Sequence, residues 1–134
     1  MRSLFEIKNP LPFDPDVFDK MQQTAKDILT NEQKQQYTQA VVLLTSSGKQ
    51  YSCLIANALS EGKTDEKNLI DKLISNSDTE ISFILCLWRE GLADIPSYDF
   101  RKMLYELNPS NSNAGIFVMT KDGYSVIKLG VTIK

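Results

Sequence analysis

The sequence predicts an α/β protein, a three-layer α/β/α sandwich on a mixed five-stranded sheet. Three observations lead there. Short apolar segments of strand character alternate with segments whose apolar residues recur at helical spacing. One strand candidate, residues 40–45, is apolar almost throughout, as in a strand buried on both faces. The element order is α-β-β-α-β-α-β-β, and a helix before each later strand favours helices on both faces of one sheet.

Taken in order, residues 1–13 form an arm whose Pro10 and Pro12 favour extended backbone. Asp14 is a helix N-cap, and Pro15 stands at the first helical position, where its missing N–H costs nothing. Phe18, Met21, Ala25, Ile28 and Leu29 then fall on one face of a helix over 15–29. Residues 30–38 are polar and fit either a helix extension or a loop. A hairpin follows, with strands 40–45 and 50–55 around the turn Ser46-Ser47-Gly48-Lys49. Residues 57–63 read as a loop. Thr64 or Asp65 can cap the next helix, whose apolar face is Leu69, Ile70, Leu73 and Ile74 and which ends near Asn76. Residues 80–88 are the most strand-like stretch in the chain. A short loop leads to Pro96 and a helix over 97–107 that buries Phe100, Met103, Leu104 and Leu107. Residues 109–113 are a loop by composition. Strands 115–120 and 124–129 close the chain as a hairpin, because Asp122-Gly123 favours a tight primed turn.

Length and composition bound the function. At 134 residues the chain suits one domain spanning 1–134. A formal charge of −2 gives no electrostatic case for nucleic acid or an anionic membrane. No apolar run approaches the ~20 residues of a membrane span and the N-terminus lacks a signal-type apolar region, so a cytoplasmic protein is expected. Cys53 and Cys86 sit inside strand candidates and read as small hydrophobes. The histidine count is zero. No Gly-rich phosphate loop, Ser-His-Asp set or basic aromatic patch is present. Trp88 reads as packing at a strand end and Arg101 as an exposed helix residue.

Four stretches resemble the free-nucleoside cytidine deaminases. Gln39-Ala40-Val41-Val42-Leu43-Leu44-Thr45-Ser46-Ser47-Gly48-Lys49-Gln50-Tyr51-Ser52-Cys53 is similar to that family's first hairpin. Thr64-Asp65-Glu66 stands where the family has C-A-E or H-A-E at a helix start. Pro96-Ser97-Tyr98-Asp99-Phe100-Arg101-Lys102-Met103-Leu104 matches P-C-x-x-C-R-x-x-L in its Pro, Arg and Leu. The closing antiparallel hairpin is also that of the free-nucleoside branch. The resemblance covers the chain from about Phe18 onward.

What the resemblance implies is a zinc site with three protein ligands and an activated water, with a glutamate shuttling protons. Here the ligand places hold Thr64, Ser97 and Phe100, and the glutamate place holds Glu66. A hydroxyl is a poor zinc ligand and a phenyl ring is none. No metal and no cofactor is therefore expected. The family's nucleoside-reading N-x-E run corresponds to Leu54-Ile55-Ala56-Asn57-Ala58, with Ile55 in the asparagine place. Glu66 reads either as a retained acid/base group or as an acid favoured in a helix's first turn by the dipole. Asp65 and Asp99 read as helix-start acids rather than metal ligands.

The expected function is that of a catalytically inactive, zinc-free protein of this fold. It would act as an oligomeric interaction module or a small-molecule-binding module. The partners in view are its own copies, as dimer or tetramer by resemblance, a nucleoside-like ligand, or another protein. The alternative is an enzyme acting on a nucleoside or related small molecule by zinc-independent chemistry at Glu66. The candidate site residues are Glu66 as the catalytic one and Asn57, Thr64, Asp65, Ser97 and Tyr98 as ligand-binding ones. An unrelated mixed α/β domain of the same element order also stays open on sequence alone.

Overall fold

The computed structural model describes residues 13–30, 38–55, 62–121 and 123–133. Its elements are α1 (Pro15–Thr30), β1 (Gln39–Thr45), β2 (Gln50–Ile55), α2 (Gly62–Ser75), β3 (Ile81–Trp88), β4 (Ala93–Asp94), α3 (Tyr98–Leu107), β5 (Gly115–Thr120) and β6 (Gly123–Lys128). Two 3-10 helices, Pro109–Asn113 and Leu129–Ile133, flank the closing hairpin. The strands form one mixed sheet in the order β2-β1-β3-β5-β6, with β4 paired to β3. Among the described residues, β3–β5 is the one parallel pair. No described helix is long and apolar enough to cross a membrane.

Asp14 starts α1 as expected, its Oδ1 accepting from Asp16 N–H at 2.9 Å and its carbonyl from Val17 N–H at 3.0 Å. Phe18, Met21 and Ala25 bury against Ala40, Val42, Leu85, Leu87 and Phe117, which makes one core on one face of the sheet. Leu69, Ile70 and Leu73 of α2 and Phe100 and Leu104 of α3 bury against Val41, Leu43, Ile84, Cys86 and Ile116 on the other. Strand alternation divides β1 and β3 between these cores, so both strands are buried on both faces. Opposite Leu44 and Thr45 the register passes from Phe83 to Ile81, and Ser82 is skipped. This bulge turns Ile81, rather than Ser82, into the α2–α3 core.

Gly115 opens β5 where a Cβ would lie 2.5 Å from Val126 Cγ1 and 3.1 Å from the Phe83 ring. The close approach seats the Phe83 ring on that of Phe117, with centroids 5.3 Å apart.

The structure departs from the sequence reading at several points. The sheet has six strands rather than five, because Ala93–Asp94 folds back onto Cys86 and Leu87. A two-residue strand is too short for its periodicity to register in sequence. α2 starts at Gly62, so Thr64 and Asp65 lie inside the helix and do not cap it. Ile74, expected on the apolar face, is 53% exposed, since Leu69, Ile70 and Leu73 already fill the contact with the sheet. Residues 109–113 form a 3-10 helix, started by Asn108, whose side-chain oxygen accepts from Ser110 N–H. The closing strand ends at Lys128, and Leu129 begins the final 3-10 helix. The arm 1–12 and most of the polar stretch 30–38 lie outside the described residues.

Two polar anchors hold the lower end of the sheet. Asn111 is fully buried, with Oδ1 accepting from Ile81 N–H at 2.7 Å and Nδ2 donating to the Thr79 and Leu104 carbonyls at 2.9 Å each. It thereby joins α3, β3 and the first 3-10 helix. Asp78 Oδ2 accepts from Thr45 Oγ1 at 2.9 Å, Ser47 Oγ at 2.8 Å and Tyr51 OH at 2.9 Å, which ties the first hairpin to the end of α2. Burial pushes the Asp78 carboxyl up, but the Ser47, Thr45 and Tyr51 hydroxyls and the Lys49 charge hold it below the usual carboxylate range.

Asn111→Ala should cost about 3 kcal/mol in urea unfolding, because buried backbone groups lose their partners. Asp78 is depressed in the fold, so its contribution is present above the unfolded carboxylate range and lost as pH falls through the lower folded pKa. The acid limb of the stability–pH curve should therefore flatten in Asp78→Asn. An unchanged acid limb would contradict the latch.

Candidate functional site

The register of β1 places the site. Gln39 pairs with Ile55 at the end of β2 and with Trp88 at the end of β3, so both strands finish at one level. α2 and α3 start beyond that edge and pack on each other. Their N-terminal ends bring residues 31 positions apart into contact: Ser97 Oγ donates to Glu66, 3.0 Å from Oε1 and 2.9 Å from Oε2. The same Oγ accepts from Phe100 N–H at 3.1 Å, which makes Ser97 the N-cap of α3. One hydroxyl thus caps one helix and binds a carboxylate of the other.

Glu66 is 3% exposed. Burial pushes its carboxyl above the usual range, the Ser97 hydroxyl pulls it partway back, and the Asp99 and Asp65 charges push it up again. The first-turn acid of α2 is Asp65, while Glu66 points inward one residue later. The helix-dipole reading of Glu66 therefore gives way to a buried carboxylate bound by a hydroxyl.

The other candidates are spread around this pair. Thr64 is exposed and Asp65 half-buried, both in the first turn of α2. Tyr98 is 49% exposed, with the Arg101 guanidinium 5.6 Å from its ring centroid. Asn57 lies outside the described residues. Ile55, in the place of a family asparagine, is fully buried in the α2–α3 core.

Two residues do more than their sequence positions suggested. Arg101 is not a solvated helix residue: its Nε donates to the Pro96 carbonyl at 2.9 Å and its Nη1 to the Thr132 carbonyl at 2.7 Å. It ties the start of α3 to the last 3-10 helix. Trp88 donates from Nε1 to Asp94 Oδ2 at 3.0 Å, holding β4 against β3. The Ser97 cap had a signal in sequence, a serine directly before an amphipathic run. The resemblance put Ser97 and Glu66 in places of one site, but the hydrogen bond between them had no local signal.

This arrangement is that of a cytidine-deaminase-like fold. Among solved structures, the chain is similar to the cytidine deaminase of Mycobacterium leprae at TM-score 0.64 and 20% identity, over 87% of this chain and 96% of that one. It is similar to the cytidine deaminase of Mycobacterium tuberculosis at TM-score 0.62 and 13% identity, over 86% and 92%. The cytidine deaminase of Burkholderia pseudomallei aligns at TM-score 0.61 and 15% identity, over 84% and 93%. At such identities the likeness is one of fold. No family model and no curated protein sequence matches the chain.

The residues present do not fit the zinc ion of that fold. Phe100, in one ligand place, is fully buried in the apolar core, and Ser97, in another, already spends its hydroxyl on Glu66 and the α3 backbone. Among the described residues, no group of three His, Cys, Asp or Glu side chains could hold a metal ion. The cysteines supply no substitute. Both pair with Val41 from opposite sides, which sets their backbones about 10 Å apart, too far for a disulfide as well. Burial, with the Asp65 and Glu66 charges, pushes the Cys53 thiol up to about 12 against the opposing pull of Lys72. Cys86, fully buried beside the Asp94 and Glu66 charges, is raised well above the ordinary thiol range. Both remain thiols, which are weak metal ligands.

Because the folded pKa of Glu66 is raised, its ionised form is disfavoured in the fold, and stability falls as pH rises from the ordinary glutamate range toward the raised value. Glu66→Gln keeps an acceptor for Ser97 and removes the charge. Its melting temperature should exceed the parent's by a few degrees at pH 8, with the gap closing at pH 4. Ser97→Ala loses both cap and carboxylate partner and should cost about 2 kcal/mol at neutral pH.

Proposed function

We propose that this protein is a zinc-free, non-deaminating relative of the cytidine-deaminase fold that works by binding. The observation that carries this is the Ser97–Glu66 hydrogen bond. The hydroxyl in a metal-ligand place and the carboxylate in the proton-shuttle place satisfy each other, so the pair acts as a clasp between two helix starts. The bound species is a nucleoside-like small molecule at the α2–α3 edge, beside Thr64, Asp65, Ser97 and Tyr98, or a protein surface, including a second copy of the chain. A second reading rests on the raised carboxyl of Glu66, a property shared with general acids and bases. It makes the protein a zinc-independent enzyme on a related small molecule.

The readings separate in one set of experiments. Protein purified from zinc-supplemented culture should carry well under one zinc per chain and release no ammonia from cytidine. Thermal unfolding in EDTA should then be run against nucleosides, bases and nucleotides. A ligand at about a hundred times its dissociation constant adds roughly 2.7 kcal/mol, a shift of several degrees. Such a shift supports small-molecule binding, and its absence with a dimer or tetramer by native mass supports the interaction role. Stoichiometric zinc with cytidine turnover would sink the proposal, and a turnover abolished in Glu66→Gln would favour the second reading.

A further inference from the structure

A concavity lies at the other end of α3 from the Ser97–Glu66 pair, where Tyr105 is about 12 Å along the helix from Ser97. It encloses about 520 Å³ between the last turn of α3, the 3-10 helix Pro109–Asn113, the end of β6 and the 3-10 helix Leu129–Ile133. That volume is within the ordinary range of small-molecule sites. We propose that this groove binds a small anionic molecule with a flat apolar body, such as an aryl carboxylate, sulfonate or phosphate. The inference does not depend on the Ser97–Glu66 site.

Three features point to such an occupant. The first is charge: among the described residues that line the groove, Lys128 is the one ionic side chain and none carries a carboxylate. The second is the contrast between spent and unspent polar groups. In and beside the first 3-10 helix, Asn108, Ser110 and Asn111 are all hydrogen-bonded within the fold. Among the described residues, the side chains of Ser112, Asn113, Tyr105 and Lys128 have no such partner, and all of them line the groove. Apolar surface completes the lining, with Tyr105 40% and Val131 63% exposed. A ring stacked on Tyr105 and packed on Val131 would bury both, with its acid group at Lys128 and the amide and hydroxyl as hydrogen-bond partners.

The third is that the walls are held in place before any ligand arrives. Gly130 packs directly on the first 3-10 helix, where a Cβ would meet Ser112 Cβ at 3.0 Å and the Ser112 carbonyl at 3.1 Å. Leu129 N–H donates to the Ala114 carbonyl at 2.9 Å, and Arg101 holds the Thr132 carbonyl from α3. A preformed groove does not have to order its walls on binding.

The test uses 8-anilinonaphthalene-1-sulfonate as the anionic probe and N-phenyl-1-naphthylamine as its neutral counterpart, both read by fluorescence on the full chain. The sulfonate should bind saturably at one site, and added salt should weaken it. Lys128→Met should weaken it roughly fivefold, as for an exposed ion pair, and leave the neutral probe unchanged. Tyr105→Ala should weaken both. These positions are on the surface, and circular dichroism of each variant verifies folding. In amide NMR spectra the sulfonate should shift Ser112, Asn113 and Gly130. Unsaturable binding, parent-like affinity in Lys128→Met, or shifts centred on Glu66 and Ser97 would each overturn the proposal. So would a native-mass dimer that Val131→Asp converts to monomer, since a second copy would then cover the groove.

Discussion

The double burial of β3 is the constraint on which the other elements depend. Ile84, Leu85, Cys86 and Leu87 have no exposed surface, and they feed alternate faces of the sheet. β1 runs along one edge of β3, while β5 and then β4 share the other. With a side-chain period of two, a slip of one residue would exchange the residues facing α1 with those facing α2 and α3. The register is therefore specified strongly, and it sets the level at which β2 and β3 end. The helices that follow must start there. The meeting of Glu66 and Ser97 lies at that level of the sheet.

That meeting has an energetic asymmetry. Ser97 contributes twice, as the cap of α3 and as the donor to Glu66. Glu66 gains a charge-assisted hydrogen bond, yet it is buried and faces the charges of Asp65 and Asp99. Among the described residues, the charges that act on it are both acidic. A buried carboxylate among acidic neighbours is an uncommon arrangement, and here the one Ser97 hydroxyl, within reach of both oxygens, offsets part of its cost.

Arg101 connects this region to the far groove. Its guanidinium is half-buried between the Pro96 and Thr132 carbonyls and lies over the Tyr98 ring. Burial lowers its pKa, while the Tyr98 and Asp94 charges raise it. The C-terminal 3-10 helix owes its position to this contact and to the close packing at Gly130. One side chain near the candidate site thereby fixes a wall of that groove.

Much of the fold was legible in the chain itself, for reasons particular to its elements. Pro15 behind Asp14, the apolar run of β1 and the period of α3 are local patterns, and local physics suffices to read them. Residues 115–120 and 123–128 likewise pair as the expected closing hairpin, while Asp122 of the expected turn lies outside the described residues. The element order and the pattern around Pro96 carried the fold as well. What local pattern could not carry was any feature made by distant residues. The pairing of β4 rests on two residues and on Trp88. Ile74 and Leu73 are equally apolar in sequence, and only the space left by the sheet decides which is buried. Asn111 and Asp78 look like loop polar residues until their partners arrive from 30 or so positions away. The sequence by itself determined the layers, because apolar spacing is a local pattern. Only the tertiary structure decided that Glu66 is buried against Ser97, because a hydrogen bond across 31 residues exists only once the register of β1 has aligned both strand ends.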